Sequence, residues 1–138
     1  MIHVTNIRNM KPETHDHAYV IVRSLKNPIK HAEQITALSP STTIFWEFLR
    51  RQKAGQWNQT TFDTWYTPAF LQQITNDNNA KEILRDLIHM DRQGKDIVLA
   101  CFCSNPSLCH RSIIASILAE NGATVLSDGP IKNYGLLL

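Results

Sequence analysis

Long apolar runs and blocks of like charge are both missing from this 138-residue chain. No stretch approaches the roughly 18 apolar residues of a membrane span, and residues 1–11 lack the apolar centre of a secretory signal. The 14 basic and 12 acidic side chains are well mixed, so nothing resembles the basic surface of a duplex-binding protein. We therefore expect a cytoplasmic protein with no membrane partner, and nucleic acid is not indicated.

Cysteine is scarce and confined to one short segment. The three cysteines fall between Cys101 and Cys109, so they cannot join distant parts of the chain as a secreted disulfide framework would. We interpret them as reduced thiols placed for local chemistry or packing. With 43% hydrophobic residues, the chain can bury one ordinary core, which predicts a single domain over residues 1–138.

The spacing of apolar residues predicts an α/β fold. Nearly continuous apolar runs at 18–23 and 96–103 are typical of strands covered on both faces of a parallel sheet, and shorter runs predict strands at 2–7 and 123–126. Helical spacing recurs at about 41–53, on both sides of Pro68, at 79–92 and at 113–118. We predict a single three-layer α/β/α domain with a mainly parallel, Rossmann-like sheet.

The loop after the second buried strand contains the most reactive residue types. It places Cys103, Cys109, His110 and Arg111 before a helix, at the edge where open parallel sheets bind ligands. Arg111 offers a fork of donors for phosphate or carboxylate, and His110 can transfer a proton near neutral pH. A thiol at a helix N-terminus beside an arginine is a candidate nucleophile. We predict catalytic roles for Cys109, His110 and Cys103.

Two other interpretations of the loop stay open. Three thiols and one imidazole are suitable ligands for a tetrahedral metal ion, although the usual paired Cys-x2-Cys knuckles are absent. We expect no metal or other cofactor, but a metal, if bound, would be held by Cys101, Cys103, Cys109 and His110. Alternatively, Cys101 is only a small buried hydrophobic residue. The spacing also differs from the Cys-x5-Arg loop of cysteine phosphatases and rhodaneses, so we assign neither activity.

Two further groups of residues have an ordinary interpretation and a functional one. His15 and His17 lie in a polar stretch with Asp16, where we expect them to be solvated rather than to assist metal binding or catalysis. Four large aromatic residues are expected to pack in the core, with stacking on a nucleobase as the alternative. They are Trp46, Trp57, Trp65 and Tyr66.

The segment Cys101-Phe-Cys-Ser-Asn-Pro-Ser-Leu-Cys-His-Arg-Ser112 resembles the family known as domain of unknown function 488. Its Cys-His-Arg triplet is the most specific mark. The resemblance extends to Tyr19-Val-Ile-Val-Arg23, Leu38-Ser-Pro-Ser41 and the aromatic stretch 57–66, covering about residues 17–126. Residues 1–16 have no clear counterpart. The resemblance implies a three-layer α/β fold with Arg23 near the Cys-His-Arg loop, but no established reaction.

An anion is the natural ligand for such a site. Two arginines, Arg23 and Arg111, that converge on one pocket need a negative charge to offset their repulsion, and Ser112 and Asn105 are expected to add hydrogen bonds to the ligand. We predict that the protein binds a nucleotide or related phosphorylated small molecule, either as an enzyme or as a non-catalytic nucleotide-binding or signal-sequestering protein. A zinc-stabilised interaction module is the third hypothesis. The tail, 127–138, is expected to pack on the body or on a second subunit, which leaves a homo-oligomer open.

Overall fold

A computed structural model describes the whole chain, residues 1–138, and contains one sheet of five strands. The strands are β1 (Ile2–Asn6), β2 (His17–Val20), β3 (Glu33–Gln34), β4 (Ile97–Cys101) and β5 (Val125–Ser127). All pairings are parallel, and the strand order is β3-β2-β4-β1-β5. The predicted α/β class and parallel sheet are therefore confirmed. The buried run of β4 lies at the centre, as its unbroken apolar sequence indicates.

The helices follow the predicted spacing closely. They are α1 (Thr42–Lys53), α2 (Gln59–Thr61), α3 (Thr67–Thr75), α4 (Asn78–Arg92) and α5 (His110–Glu120). The Ser41 hydroxyl accepts a hydrogen bond from the Ile44 N–H and so caps α1, while the Asp77 carboxylate caps α4. Pro68 does not break the second helical segment. A π-helical turn, Phe62–Tyr66, joins α2 to α3 just before this proline, which has no N–H to donate.

The helices pack on the sheet through a shared apolar core. On one face, Phe70 of α3, Leu84 of α4 and Ile113 of α5 are fully buried in one core with Ile97 and Leu99 of β4. The 7–14 segment contains the 3₁₀ turns Ile7–Asn9 and Pro12–Thr14, and its Asn9 and Met10 line a cavity together with His3 and Val98. None of the helices combines the length and the apolar character needed to cross a bilayer.

The tail beyond β5 packs on the body of the domain, as one of the two predictions for it requires. The Glu120 carboxylate accepts hydrogen bonds from the backbone N–H groups of Tyr134, Gly135 and Leu136. The Asn121 amide donates to the Leu136 carbonyl at 2.8 Å. These contacts fix the tail against the C-terminal end of α5, and Asp128 at its start reaches the predicted functional loop.

Candidate functional site

The Cys101–Arg111 segment, here called the cysteine loop, lies at the carboxyl edge of the sheet as predicted. Cys101 is the last residue of β4 and pairs in register with Asn6, the last residue of β1. The Asn6 amide donates to the Cys103 carbonyl at 2.8 Å, which holds the loop against the neighbouring strand. Further along, the Asn105 side chain accepts from the Ser107 N–H at 2.9 Å and caps the 3₁₀ turn Pro106–Leu108. Asn105 therefore shapes the loop.

The loop brings its three cysteines and His110 together in what we call the thiol cluster. The ligating atoms of these four residues all lie within 4.8 Å of one another. The Cys101 and Cys109 sulfurs are 3.2 Å apart, and Cys109 Sγ is 3.6 Å from His110 Nδ1. His110 Nε2 lies 2.7 Å from the Ile21 carbonyl. Because that carbonyl can only accept, Nε2 carries a proton in this contact.

Arg111 lies inside the protein beside this cluster, with no exposed surface. Its Nε and Nη2 atoms donate to the two carboxylate oxygens of Asp128 at 3.1 and 2.9 Å. Its Nη1 atom donates to the Cys103 carbonyl at 2.6 Å and lies 3.3 Å from Cys101 Sγ. The guanidinium predicted to bind a ligand thus has an anionic partner within the chain and supports the thiols.

The cluster distributes protons unequally among its thiols. Hydrogen bonds from Cys103, Cys109 and Arg111, together with the charge of His110, lower the pKa of Cys101 strongly despite its burial. The hydrogen bond to Cys101 raises the pKa of Cys103 to about 12. Burial, together with its two thiol neighbours, raises the pKa of Cys109. The arrangement therefore favours one thiolate, on Cys101, with protonated thiols beside it.

Arg111 and Asp128 complete the charge balance of this buried region. Burial alone would lower the pKa of Arg111, but hydrogen bonds to Asp128 and Cys101 raise it above its ordinary value. Asp128, whose side chain is 31% exposed, also keeps contact with solvent. The hydrogen bonds to Asp128 and to Cys101 Sγ offset part of the cost of burying the guanidinium.

An open cavity of about 330 Å³ lies directly over the cluster, and we call it the aromatic cavity. Cys101, Cys103 and His110 form part of its lining, and Arg23 is exposed at its edge. The Arg23 Nε atom donates to the Pro40 carbonyl at 2.6 Å, which holds the guanidinium near the rim. Six aromatic rings contribute to the walls: Phe45, Trp46, Phe48, Trp57, Tyr66 and Phe102.

The predicted site residues separate into two sets. Cys103, His110 and Arg23 line the aromatic cavity, whereas Cys109, Arg111 and Ser112 do not. The Ser112 hydroxyl donates to the Pro106 carbonyl and therefore holds the loop closed. Asn105 likewise lies outside the cavity lining. Of the three residues of the Cys-His-Arg motif, only His110 therefore lines the cavity.

Sequence reasoning missed several contributors to the site. Asp128 and Asn6 hold Arg111 and the loop from distant parts of the chain, and no local pattern marks them. The expectation that Trp46 packs in the core is wrong, because its side chain is 63% exposed at the cavity.

Comparison with known protein families identifies the family to which the chain belongs. A family model described as the active DUF488-N3 subclade, DUF488-N3a, matches residues 2–122 and thus includes β1 as well as the cysteine loop. Neither the curated proteins nor the solved structures yield a match to the chain. The match spans most of the 138 residues and agrees with the Cys-His-Arg motif. The chain therefore belongs to the DUF488 family.

Proposed function

We propose that the protein binds a nucleotide or a related phosphorylated small molecule in the aromatic cavity and acts on it through a cysteine thiolate. One observation carries this proposal: aromatic walls, a reactive floor and a cationic rim occur in the same cavity. A volume of about 330 Å³ lies within the range of small-molecule sites. The three parts of the cavity match the three chemical parts of such a ligand.

The aromatic walls suit a planar ring. Phe48 and Trp57 meet edge to face with their ring centroids 4.7 Å apart, so their positions support each other. Trp46 is more exposed and is placed at the opening, where a nucleobase can stack on its face. Stacking of this kind tolerates any base, and the cavity walls therefore support the ligand class without selecting one base.

The rim supports the phosphate. Arg23 is exposed, and its guanidinium lies at the cavity lining with one nitrogen bound to the Pro40 carbonyl. The remaining nitrogens are oriented donors of the kind that bind phosphate oxygens. Because Arg111 is neutralised by Asp128, Arg23 is the arginine that we assign to the ligand.

The floor of the aromatic cavity, formed by Cys101 and Cys103, supports covalent chemistry. In our proposal the Cys101 thiolate attacks an electrophilic atom of the ligand and forms a bond to it, while the leaving group departs with its electron pair. Cys103 retains its proton and lines the same cavity, so it is placed to protonate that leaving group. His110, fixed by Ile21, is assigned to orient the neighbouring Cys109 thiol.

Tryptophan fluorescence provides the first test. Nucleoside monophosphates are titrated into the protein, with inorganic phosphate as the reference ligand. We expect a nucleotide to quench the fluorescence and to bind more tightly than phosphate. Trp46→Leu should weaken nucleotide binding at least about fivefold, because base–aromatic stacking contributes roughly 1–3 kcal/mol. The matched control is Trp65→Leu, because Trp65 does not line the cavity. Its ring instead lies under the Arg51 guanidinium, whose central carbon is 4.4 Å from the ring centroid.

Two results would contradict the proposal. One is that no nucleotide binds better than inorganic phosphate, and the other is that both tryptophan variants weaken binding equally. Mass spectrometry of the incubated ligand then separates turnover from binding. We expect wild-type protein to convert its ligand and Cys101→Ser to retain binding without conversion. A ligand recovered unchanged from wild-type protein would instead support a non-catalytic binding protein.

A zinc-stabilised cluster is the second candidate, favoured by the convergence of four ligating atoms within 4.8 Å. The Ile21 carbonyl orients His110 as such partners orient metal-binding histidines. The Cys101 and Cys109 sulfurs, at 3.2 Å, are closer than the about 3.8 Å that tetrahedral Zn–S bonds impose, so the cluster would have to open. Native mass spectrometry before and after chelation decides: a zinc-sized mass whose removal unfolds the protein supports this candidate.

A further inference from the structure

Three potential metal ligands meet at the opposite, amino-terminal edge of the sheet. His3 belongs to β1, His15 precedes β2, and Asp96 immediately precedes β4. His3 Nε2 lies 3.0 Å from Asp96 Oδ1, and His15 Nδ1 lies 3.1 Å from the same oxygen. The three ligating atoms are all within 4.8 Å of one another. This group, here called the histidine cluster, is separate from the thiol cluster and the aromatic cavity.

The backbone fixes the histidine cluster independently of its side chains. The N–H groups of Asp16 and His17 both donate to the Asp96 carbonyl, at 2.8 and 3.1 Å. In return, the Asp16 carboxylate accepts from the Asp96 N–H at 2.7 Å. Parallel pairing of β1 and β2 with β4 brings His3 to the same edge. The three ligands are therefore preorganised, which lowers the conformational cost of binding an ion.

The distances fit a shared metal ion. Two nitrogen or oxygen ligands at 2.0–2.1 Å from one ion, with angles of about 90–110° between them, lie about 2.9–3.4 Å apart. Both nitrogen–oxygen distances in the histidine cluster fall in this interval. Two imidazoles and one carboxylate are also a donor set that suits zinc and neighbouring transition metals.

The surroundings leave space for a metal-bound water. The Asp96 side chain is 45% exposed, while that of His15 is only 14% exposed, so one side of the cluster is open to solvent. A cavity of about 290 Å³ adjoins both imidazoles and is also lined by Asn9 and Asp128.

We propose that His3 Nε2, His15 Nδ1 and Asp96 Oδ1 bind one divalent transition-metal ion of the zinc type, with water completing its coordination. The ion links three chain segments at the amino edge of the sheet. Three protein ligands with an open position are the arrangement of a reactive metal site, because purely structural zinc sites usually have four protein ligands.

Zinc titration followed by NMR of the histidine side chains tests this site in the full-length, metal-free protein. We expect the ring signals of His3 and His15 to shift together and to saturate with one Zn²⁺. Asp96→Asn and His15→Ala should each weaken this binding at least about tenfold, since even outer-shell groups change metal affinity 10–100-fold. His17→Ala is the matched control, because His17 is the neighbouring histidine, lies outside the cluster and stacks on Tyr19. We expect it to change the affinity less than about twofold.

The ring signals distinguish this site from the thiol cluster. Zinc that shifts only the His110 signals would overturn the proposal, and so would zinc that leaves the His3 and His15 signals unmoved. In either case the histidine cluster is a hydrogen-bonded group alone. Equal weakening by His17→Ala and His15→Ala would also overturn it. Cobalt substitution gives a second check, because we expect Co²⁺ at this site without the thiolate-to-metal absorption that binding to the thiol cluster produces.

Discussion

Arg111 and Arg23 are both associated with the carboxyl edge of the sheet but have opposite surroundings. Arg111 has no exposed surface, and its donors contact Asp128, the Cys103 carbonyl and the cluster sulfurs. Arg23 is exposed at the aromatic cavity and has a hydrogen bond to the Pro40 carbonyl. One guanidinium is therefore a structural partner of the thiols, and the other is available to a ligand.

This difference changes the argument that two converging arginines need a bound anion. For Arg111 the anion is Asp128, supplied by the tail of the same chain. Repulsion between the arginines thus does not by itself require a ligand. The case for an anionic ligand instead depends on Arg23 and on the aromatic walls beside it. Burial, more than residue type, separates the two roles.

The largest expected effect comes from removing each arginine's charge and measuring stability. Arg111→Met should lower the free energy of unfolding by about 3 kcal/mol, because it leaves Asp128 and the cluster sulfurs without their buried cation. Arg23→Met should change it by less than about 0.5 kcal/mol, as is usual for an exposed side chain. Urea unfolding of both variants provides the measurement. Equal destabilisation would remove the distinction between the two arginines.

The fold contains elements that local sequence signals predict and elements that they do not. The unbroken apolar residues of β4 and the Ser41 cap of α1 are local signals, and both elements form where these signals place them. β3 consists of only two residues, Glu33 and Gln34, and both are exposed. It is therefore too short for an alternation of apolar and polar residues to predict it. β2 ends at Val20, three residues before Arg23, because strand pairing stops where the chain leaves the sheet.

The sequence could predict only the part of the site that lies in one continuous segment. Cys101 to Arg111 lie in one segment, and the strand–loop–helix pattern places them at the sheet edge. The Arg111–Asp128 pair joins residues 17 positions apart through packing of the tail, which no local pattern encodes. Likewise, the exposure of Trp46 depends on how α1 sits on the domain. Long-range packing therefore decided which predicted residues face the cavity.

The second-largest expected effect is on the pH dependence of Cys101 alkylation, beside Arg111. An ordinary thiol with a pKa near 8.5 gains roughly 75-fold in thiolate between pH 6 and pH 8. Because the pKa of Cys101 is lowered, we expect its alkylation by iodoacetamide to change less than about twofold over this range. Cys103→Ala removes the largest cause of that lowering and should restore a rise with pH. Arg23→Met should keep the flat profile of wild-type protein.

Intact-mass measurements at each pH, with peptide mapping of the first adduct, would test this expectation. A wild-type rate that rises with pH as for an ordinary thiol would mean that no thiolate persists in the cluster. Arg111 would then pack against neutral thiols, and its assigned role as the partner of a thiolate would be wrong. Alkylation that maps first to Cys109 would also contradict the assignment, since Cys109, unlike Cys101, does not line the aromatic cavity.

The smallest effect is the contribution of Arg23 to ligand binding. An exposed ion pair is worth about 0.2–1 kcal/mol, so Arg23→Met should weaken binding of a nucleoside monophosphate by roughly 1.5- to 5-fold. Binding of the corresponding nucleoside should be unchanged, because it has no phosphate at the rim. Isothermal titration at two salt concentrations gives both comparisons, and added salt should reduce the difference between wild type and variant. If the nucleoside loses as much affinity as the monophosphate, Arg23 shapes the cavity without binding phosphate.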